Sequence, residues 1–473
     1  MIRKQFKVLI LITTLVVVAT LGLLFLPKDS EPTPIEESKV LIDRDFFDVS
    51  EISIINTKDT VKVIQENGGF RMEGVSSEII NPDYLQQIVA DSAYIEFDQK
   101  IDNPSNLSDF GLDVPTSEVL ITYKDGEQLN LLLGNEGPIN NTRYVQDKST
   151  DTIYLLKKAA TIRYTMSKEE FINYVIVPPH EVQNVLSTIN YVKYDGKLLK
   201  RPIIIKIVDS NDQQQLAQAI SFGVASHLMI EPTIQKIDLR EATKQFSALV
   251  GLLNDGIATF DATNEQLKQY GFDDPDLVIE FDFSPDTKVN PSRYLLEINT
   301  VNDQSYAMVN KNNVIHKIQN EAFLNIAYEN IISRWFFTPL LLDVETLIVR
   351  SSGVEHEFAI EKLGNNEIKV LKDGDVIDSD AFRKFYNLVV SASHDGVYQP
   401  FSSSTSSILE IEFDYIEKDK PNDIVKYYQG GARRNNVCFN DTCEFAIKET
   451  YVDYIKNAIS LIESNETFPT DWE

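Results

Sequence analysis

Leu107-Ser108-Asp109-Phe110-Gly111-Leu112-Asp113-Val114-Pro115 returns 160 residues later as Leu267-Lys268-Gln269-Tyr270-Gly271-Phe272-Asp273-Asp274-Pro275. After each copy comes an alternating apolar run, then a tyrosine and a second strand-like pair: Tyr144 with Ile153-Tyr154 in the first, Tyr306 with Ile315-His316 in the second. Order and spacing kept together mark a chain built from repeated modules. In each copy the glycine stands between apolar side chains, four residues ahead of a proline. A glycine there takes a positive φ or admits a neighbouring backbone, the flanking Phe110, Leu112, Tyr270 and Phe272 bury, and Pro115 or Pro275 leads into an edge strand. A ligand site would need convergent polar groups, which the motif lacks. Phe110, Gly111, Pro115, Tyr270, Gly271 and Pro275 therefore read as a structural motif.

Working outward, Phe46-Phe47-Asp48-Val49-Ser50-Glu51-Ile52-Ser53-Ile54 opens a module, and Leu342-Asp343-Val344-Glu345-Thr346-Leu347-Ile348-Val349 repeats its Asp-Val and its alternation. Residues 179–189 are a weaker third match. The organisation expected is a cytoplasmic start and transmembrane anchor (1–26), a proline-rich acidic tether (27–40), and three modules at 41–178, 179–340 and 341–473. In the first, segments 61–64 and 69–72 flank Glu66-Asn67-Gly68 as a hairpin, and a helix starts from an Asn81 cap with Pro82 in its first position. The motif follows, then strands at 119–123 and 129–131 around Lys124-Asp125-Gly126. The second module has a longer opening half, with a strand at 203–208 and a helix at 238–253. The third has a hairpin at 354–360 and 368–371, a helix capped by Ser379, and strands at 408–413 and 437–447; a serine-rich stretch after Phe401 replaces the motif. Each module is thus an antiparallel sheet with one or two helices, and the fold class expected is α+β behind an N-terminal transmembrane helix.

That anchor is read from Val8 to Leu26, an apolar run with Arg3, Lys4 and Lys7 before it and Asp29, Glu31, Glu36 and Glu37 after it. At about 1.5 Å per residue it covers roughly 28 Å, the thickness of a bilayer core. Basic residues ahead of the run put the bulk of the chain outside, in a single-pass type II topology with an uncleaved signal anchor. A cleaved secretory signal shares the basic start and apolar core, but the run is longer than a usual signal core and no small-x-small site follows. The remainder has ordinary globular composition. The net charge of −28 over the whole chain argues against nucleic acid, which demands clustered Lys and Arg.

Cys438 and Cys443 flank Asn440-Asp441, a two-residue turn that would set the sulfurs opposite each other at a non-hydrogen-bonded pair. A disulfide is expected outside the cell, with a reduced pair and a redox-active pair as the alternatives. The five histidines, His180, His227, His316, His356 and His394, form no metal-binding spacing, and Asp273, Asp274, Asp276 and Asp282 lack the EF-hand pattern. No phosphate loop, nucleophile elbow or serine–lysine set occurs. Neither cofactor nor metal is expected, and the enzymatic alternative is a hydrolase whose site is assembled across modules.

The anchor, Asp48-Val49 with Ile52 and Ile54, the helix, Phe110-Gly111-Leu112 with Pro115, Leu131-Leu132-Leu133-Gly134, Arg143-Tyr144-Val145 and Ile153-Tyr154-Leu155 together resemble the bacterial membrane-anchored family known as domain of unknown function 4340. The resemblance covers the first module, the second half of the second, and little of the third. Members of that family often accompany ATP-binding-cassette permeases and gliding-motility auxiliary proteins. The resemblance therefore implies a noncatalytic accessory or scaffold subunit at the outer face of a bacterial plasma membrane, held by its N-terminal helix and partnered by a permease or another membrane protein. The alternative is a cell-envelope protein that binds glycan or peptide in a cleft between modules, for which Tyr427 and Tyr428 would have to present exposed rings.

Overall fold

A computed structural model describes residues 39–139, 141–180, 184–319, 321–396, 401, 406–464 and 466–472. The chain divides into two compact units, one of residues up to 73 with 80–172, the other of 74–79 with the rest from 173 onward.

The first unit is built on an eight-stranded sheet in the order Gly69–Met72, Thr60–Glu66, Val49–Asn56, Ser117–Tyr123, Gln128–Glu136, Thr142–Asp147, Thr152–Lys157, Gln99–Ile101. Two meanders run outward in opposite directions from a central antiparallel pair, Val49–Asn56 with Ser117–Tyr123. The alternation that identified the strands also points Ile52, Ile54, Val61 and Val63 inward with no exposed surface. Asn67 and Gly68, both at positive φ, close the first hairpin between Glu66 and Gly69. The helix Pro82–Ala93 starts where Asn81 accepts from Asp83 N at 3.0 Å, and it buries Ile88, Val89 and Ala93.

The second unit repeats this plan twice. One sheet has nine strands around the central pair Ile189–Asp195 and Leu277–Phe283; the other has eight around Val344–Ser351 and Leu409–Tyr415. The registration of all three sheets is marked by one repeated hydrogen bond. The carbonyls of Asp48, Thr188 and Asp343 each accept, just before the first central strand, from a backbone N–H beyond its partner strand: Lys124 at 2.8 Å, Ser284 at 2.7 Å and Ile416 at 3.0 Å. A one-turn 3-10 helix leads into the first central strand each time, at Phe46–Asp48, Val185–Thr188 and Leu341–Asp343. The third sheet therefore keeps the topology although its sequence has lost the glycine motif. Residues 179–340 and 341–473 hold separate sheets but share one hydrophobic core. Phe336 and Phe337, which connect them, lie against Phe445 at 5.0 Å and Phe413 at 4.6 Å between ring centroids.

The described chain is mostly antiparallel sheet, in four sheets counting the small Val40–Asp43 and Tyr94–Glu96 pair, so the α+β assignment behind a transmembrane helix does not stand. Among the described residues no helix is long and apolar enough to cross a membrane. The longest, Glu449–Glu463, has 15 residues, too few to span, and it is two-sided, with Tyr451, Ile455 and Ile462 in the core. The anchor expected at Val8 to Leu26 falls outside the described residues, as do residues 181–183 of the weak third module start and most of the stretch after Phe401. Pro115 and Pro275 do not lead into edge strands. They stand two residues before the central strands Ser117–Tyr123 and Leu277–Phe283, where a proline costs the ladder nothing. The helix of the third module is capped by Asp378, which accepts from Ala381 N at 2.7 Å, while Ser379 donates instead to Ile368 O. The helix expected over 238–253 is Leu239–Leu249, ended before Gly251 at φ 81°.

Candidate functional site

The repeated motif packs the connection between helix and second meander onto the sheet. Leu107–Phe110 form a short 3-10 turn capped by Asn106, Gly111 follows at φ 66°, and the Phe110 ring meets Tyr144 edge to face at 4.9 Å. In the second copy Gly271 follows the helix Asn264–Gln269 at φ 82°, and Tyr270 meets Tyr306 at 4.8 Å. An added Cβ on Gly111 would collide with the Asn135 side chain, and on Gly271 it would come to 3.2 Å from Asn299 Oδ1, which accepts from Asp276 N at 2.9 Å. Leu112 and Phe272 are buried as expected, whereas Phe110 and Tyr270 stay half-buried and act through their ring pairs. The first two sheets carry the same lock, and it presents no convergent polar groups.

The chemically dense region lies elsewhere, where the second and third sheets of the second unit meet. Asp423, 1% exposed, accepts from Ser221 Oγ and from the Tyr415 hydroxyl, each at 2.6 Å, on one oxygen. Its other oxygen takes Lys420 Nζ and Asn440 Nδ2, each at 2.9 Å. Four donors saturate the carboxylate, and the buried lysine is neutralised in the same step. Burial and the Asp423 charge push the Tyr415 hydroxyl well up, so it stays a donor. A second buried acid, Glu444, accepts from the Tyr328 hydroxyl at 2.5 Å and pairs with Arg201 at 3.0 Å; the Arg201 guanidinium stacks over the Tyr328 ring. Ser221, Arg201 and Tyr328 come from the second module, Asp423 and Glu444 from the third. Sequence reading missed both acids, although Asp423 heads a strand where Val425 and Tyr427 continue the inward positions.

Beside this network opens a cleft of about 1160 Å³ between the helix Gln213–Ile220 and the third sheet. The disulfide lies in its wall: Cys438 and Cys443 are joined, their Cα atoms 4.0 Å apart, next to the Asn440-Asp441 turn. Tyr427 and Tyr428 do not present exposed rings. Tyr427 packs on Tyr451 in the core, and Tyr428, 8% exposed, packs on Phe401.

The histidines are not brought together. His227 lies between Ser226 Oγ and Ile189 O, and His394 Nε2 faces Ser333 O at 3.1 Å. His316 is 2% exposed with neither ring nitrogen hydrogen-bonded. Burial lowers the pKa of all three, that of His316 to about 4. Among the described residues no three His, Cys, Asp or Glu side chains are placed to hold a metal. Asp276 serves its turn, its carboxylate accepting from Thr300 N at 3.0 Å.

These features define a repeat-built antiparallel sheet protein whose two most deeply buried acids, Asp423 and Glu444, are consumed in holding two sheets together. Residues 71–201 match the family described as Domain of unknown function (DUF4340). The match runs from the end of the first hairpin through the helix, the first glycine motif and the strands after it, and reaches the first strand of the second sheet. No curated protein matches the chain. Among solved structures, the β subunit of DNA polymerase III from Thermotoga maritima aligns at 8% identity over 85% of this chain and 91% of that one, with a TM-score of 0.11, too low to bear on fold or function.

Proposed function

We propose that this chain is a noncatalytic extracytoplasmic scaffold or accessory subunit of a bacterial membrane complex, an ABC-type transport system. The observation that carries the reading is the saturated seam of the second unit. Ser221, Tyr415, Lys420 and Asn440 all close on Asp423, and Arg201 with Tyr328 close on Glu444. Ser221 and Asp423 are the sort of pair a hydrolase assembled across modules would need. Both are buried, however, and the carboxylate has no lone pair left to orient a base. Chemistry spent on rigidity suits a part that positions other parts. The disulfide supports an oxidising compartment and hence an extracytoplasmic site. The transport partner is inferred from the family resemblance.

The experiment is crosslinking of the full-length protein in intact cells, followed by affinity capture and mass spectrometry. Recovery of a permease with its ATPase supports the reading. Capture of envelope polymer alone, with the permease present in the input, removes it.

A further inference from the structure

The cleft beside the Asp423 network plays no part in the scaffold reading and is argued apart from it. Its cations are already engaged, Lys420 with Asp423 and Lys426 with Glu410 at 3.2 Å. The uncommitted groups that line it are the side-chain amides of Gln213, Gln214 and Gln218, the Tyr428 hydroxyl, and the exposed carboxylates of Asp419 and Asp441. Among the described residues none of these makes a side-chain hydrogen bond or ion pair. Between them lie apolar surfaces from Phe222, Ile234 and Pro421. A primary amide offers the same donor and acceptor types as a peptide group. Amides in a row along one helix, interleaved with apolar surface, thus match an extended backbone and its side chains. The two unpaired carboxylates ask for a cation, and the net charge of −28 draws one in. A glycan is disfavoured because no exposed ring offers a stacking platform: Tyr427 is in the core and Tyr428 is packed against Phe401.

We propose that this cleft binds a basic peptide segment of another protein, its backbone held by the glutamine amides and its Lys or Arg side chains by Asp419 and Asp441, a mode that draws on amides and carboxylates and not on the exposed rings that the sequence alternative required. The test uses the full-length protein as bait for a displayed library of random heptapeptides. The affinity of an enriched peptide is then measured by fluorescence anisotropy against two variants. Enriched sequences should carry Lys or Arg, and Asp441→Asn, which changes an exposed side chain with no hydrogen bond or ion pair among the described residues, should weaken binding about two- to fivefold, the value of one exposed ion pair. Ala217→Trp, which projects an indole into the cleft between the glutamines, should weaken it more than tenfold while the thermal transition of the protein is kept. Enrichment without basic residues, affinity unchanged in Asp441→Asn, or saturable binding to an oligosaccharide array in place of peptide would each overturn the proposal.

Discussion

Replacing His316 by phenylalanine should make the second unit more tolerant of acid. His316 pairs in register with Ala307 and Ile257, it is 2% exposed, and its two ring nitrogens find no partner. Burial disfavours the imidazolium and lowers the pKa from 6.5 to about 4. Between those values the unfolded chain binds a proton that the folded chain refuses. The contribution of His316 to stability is therefore full above about pH 6.5 and is lost as the pH falls towards 4. At pH 4.5 the loss amounts to about 2.5 kcal/mol relative to pH 7.5. The assay is urea unfolding followed by tryptophan fluorescence, because the chain's two tryptophans, Trp335 and Trp472, both lie in the second unit and so report on the part that holds His316. The stability of His316→Phe minus that of the parent should grow by about 2.5 kcal/mol between pH 7.5 and 4.5. A difference that stays constant within about 0.5 kcal/mol, well below that expectation, would refute the reasoning, and so would an imidazole that titrates near 6.5 in the folded protein by NMR.

Asp423→Ala leaves Lys420 buried without its partner and should destabilise the second unit by about 3–5 kcal/mol; a thermal transition within a few degrees of the parent would contradict the network's importance. Gly134→Ala directs a methyl at the Phe110 carbonyl, a backbone atom that cannot yield, so it should cost the first unit more than Gly271→Ala costs the second, where the nearest atom is the Asn299 side chain at 3.2 Å. Denaturant titrations of both variants check the order. Replacing both Cys438 and Cys443 by alanine opens a loop of only a few residues and should cost about 2 kcal/mol or less by chain entropy, read as a shift in the urea midpoint. A double-mutant cycle on Phe110 and Tyr144 should return a coupling of about 0.5–1.5 kcal/mol, as for other edge-to-face pairs.

The repetition was legible because it rests on local chemistry. A glycine at positive φ beside an aromatic, and a strand that alternates after Asp-Val, need the same residues wherever the motif recurs. The Asn81 cap and the Asn67-Gly68 turn were legible for the same reason, since each is satisfied within a few residues. The third sheet shows where that stops. Its Asp343-Val344 start was legible as a repeat, but the bond from Ile416 N to the Asp343 carbonyl and the pairing of Val344–Ser351 with Leu409–Tyr415, which keep the topology without the glycine motif, are contacts of high sequence separation that no motif records. The shared core of the second unit and the closing of Ser221 on Asp423, 202 residues apart, were out of reach for the same reason. An aspartate at an inward strand position was a visible signal, but its donors became identifiable only in three dimensions.

The proposed role, a part that positions a membrane complex from outside the cell, is tested by the identity of what crosslinks to the protein there. A permease and its ATPase should be recovered together with the full-length protein, with crosslinks that map to its folded units. Recovery of neither, from cells that demonstrably contain both, would contradict it.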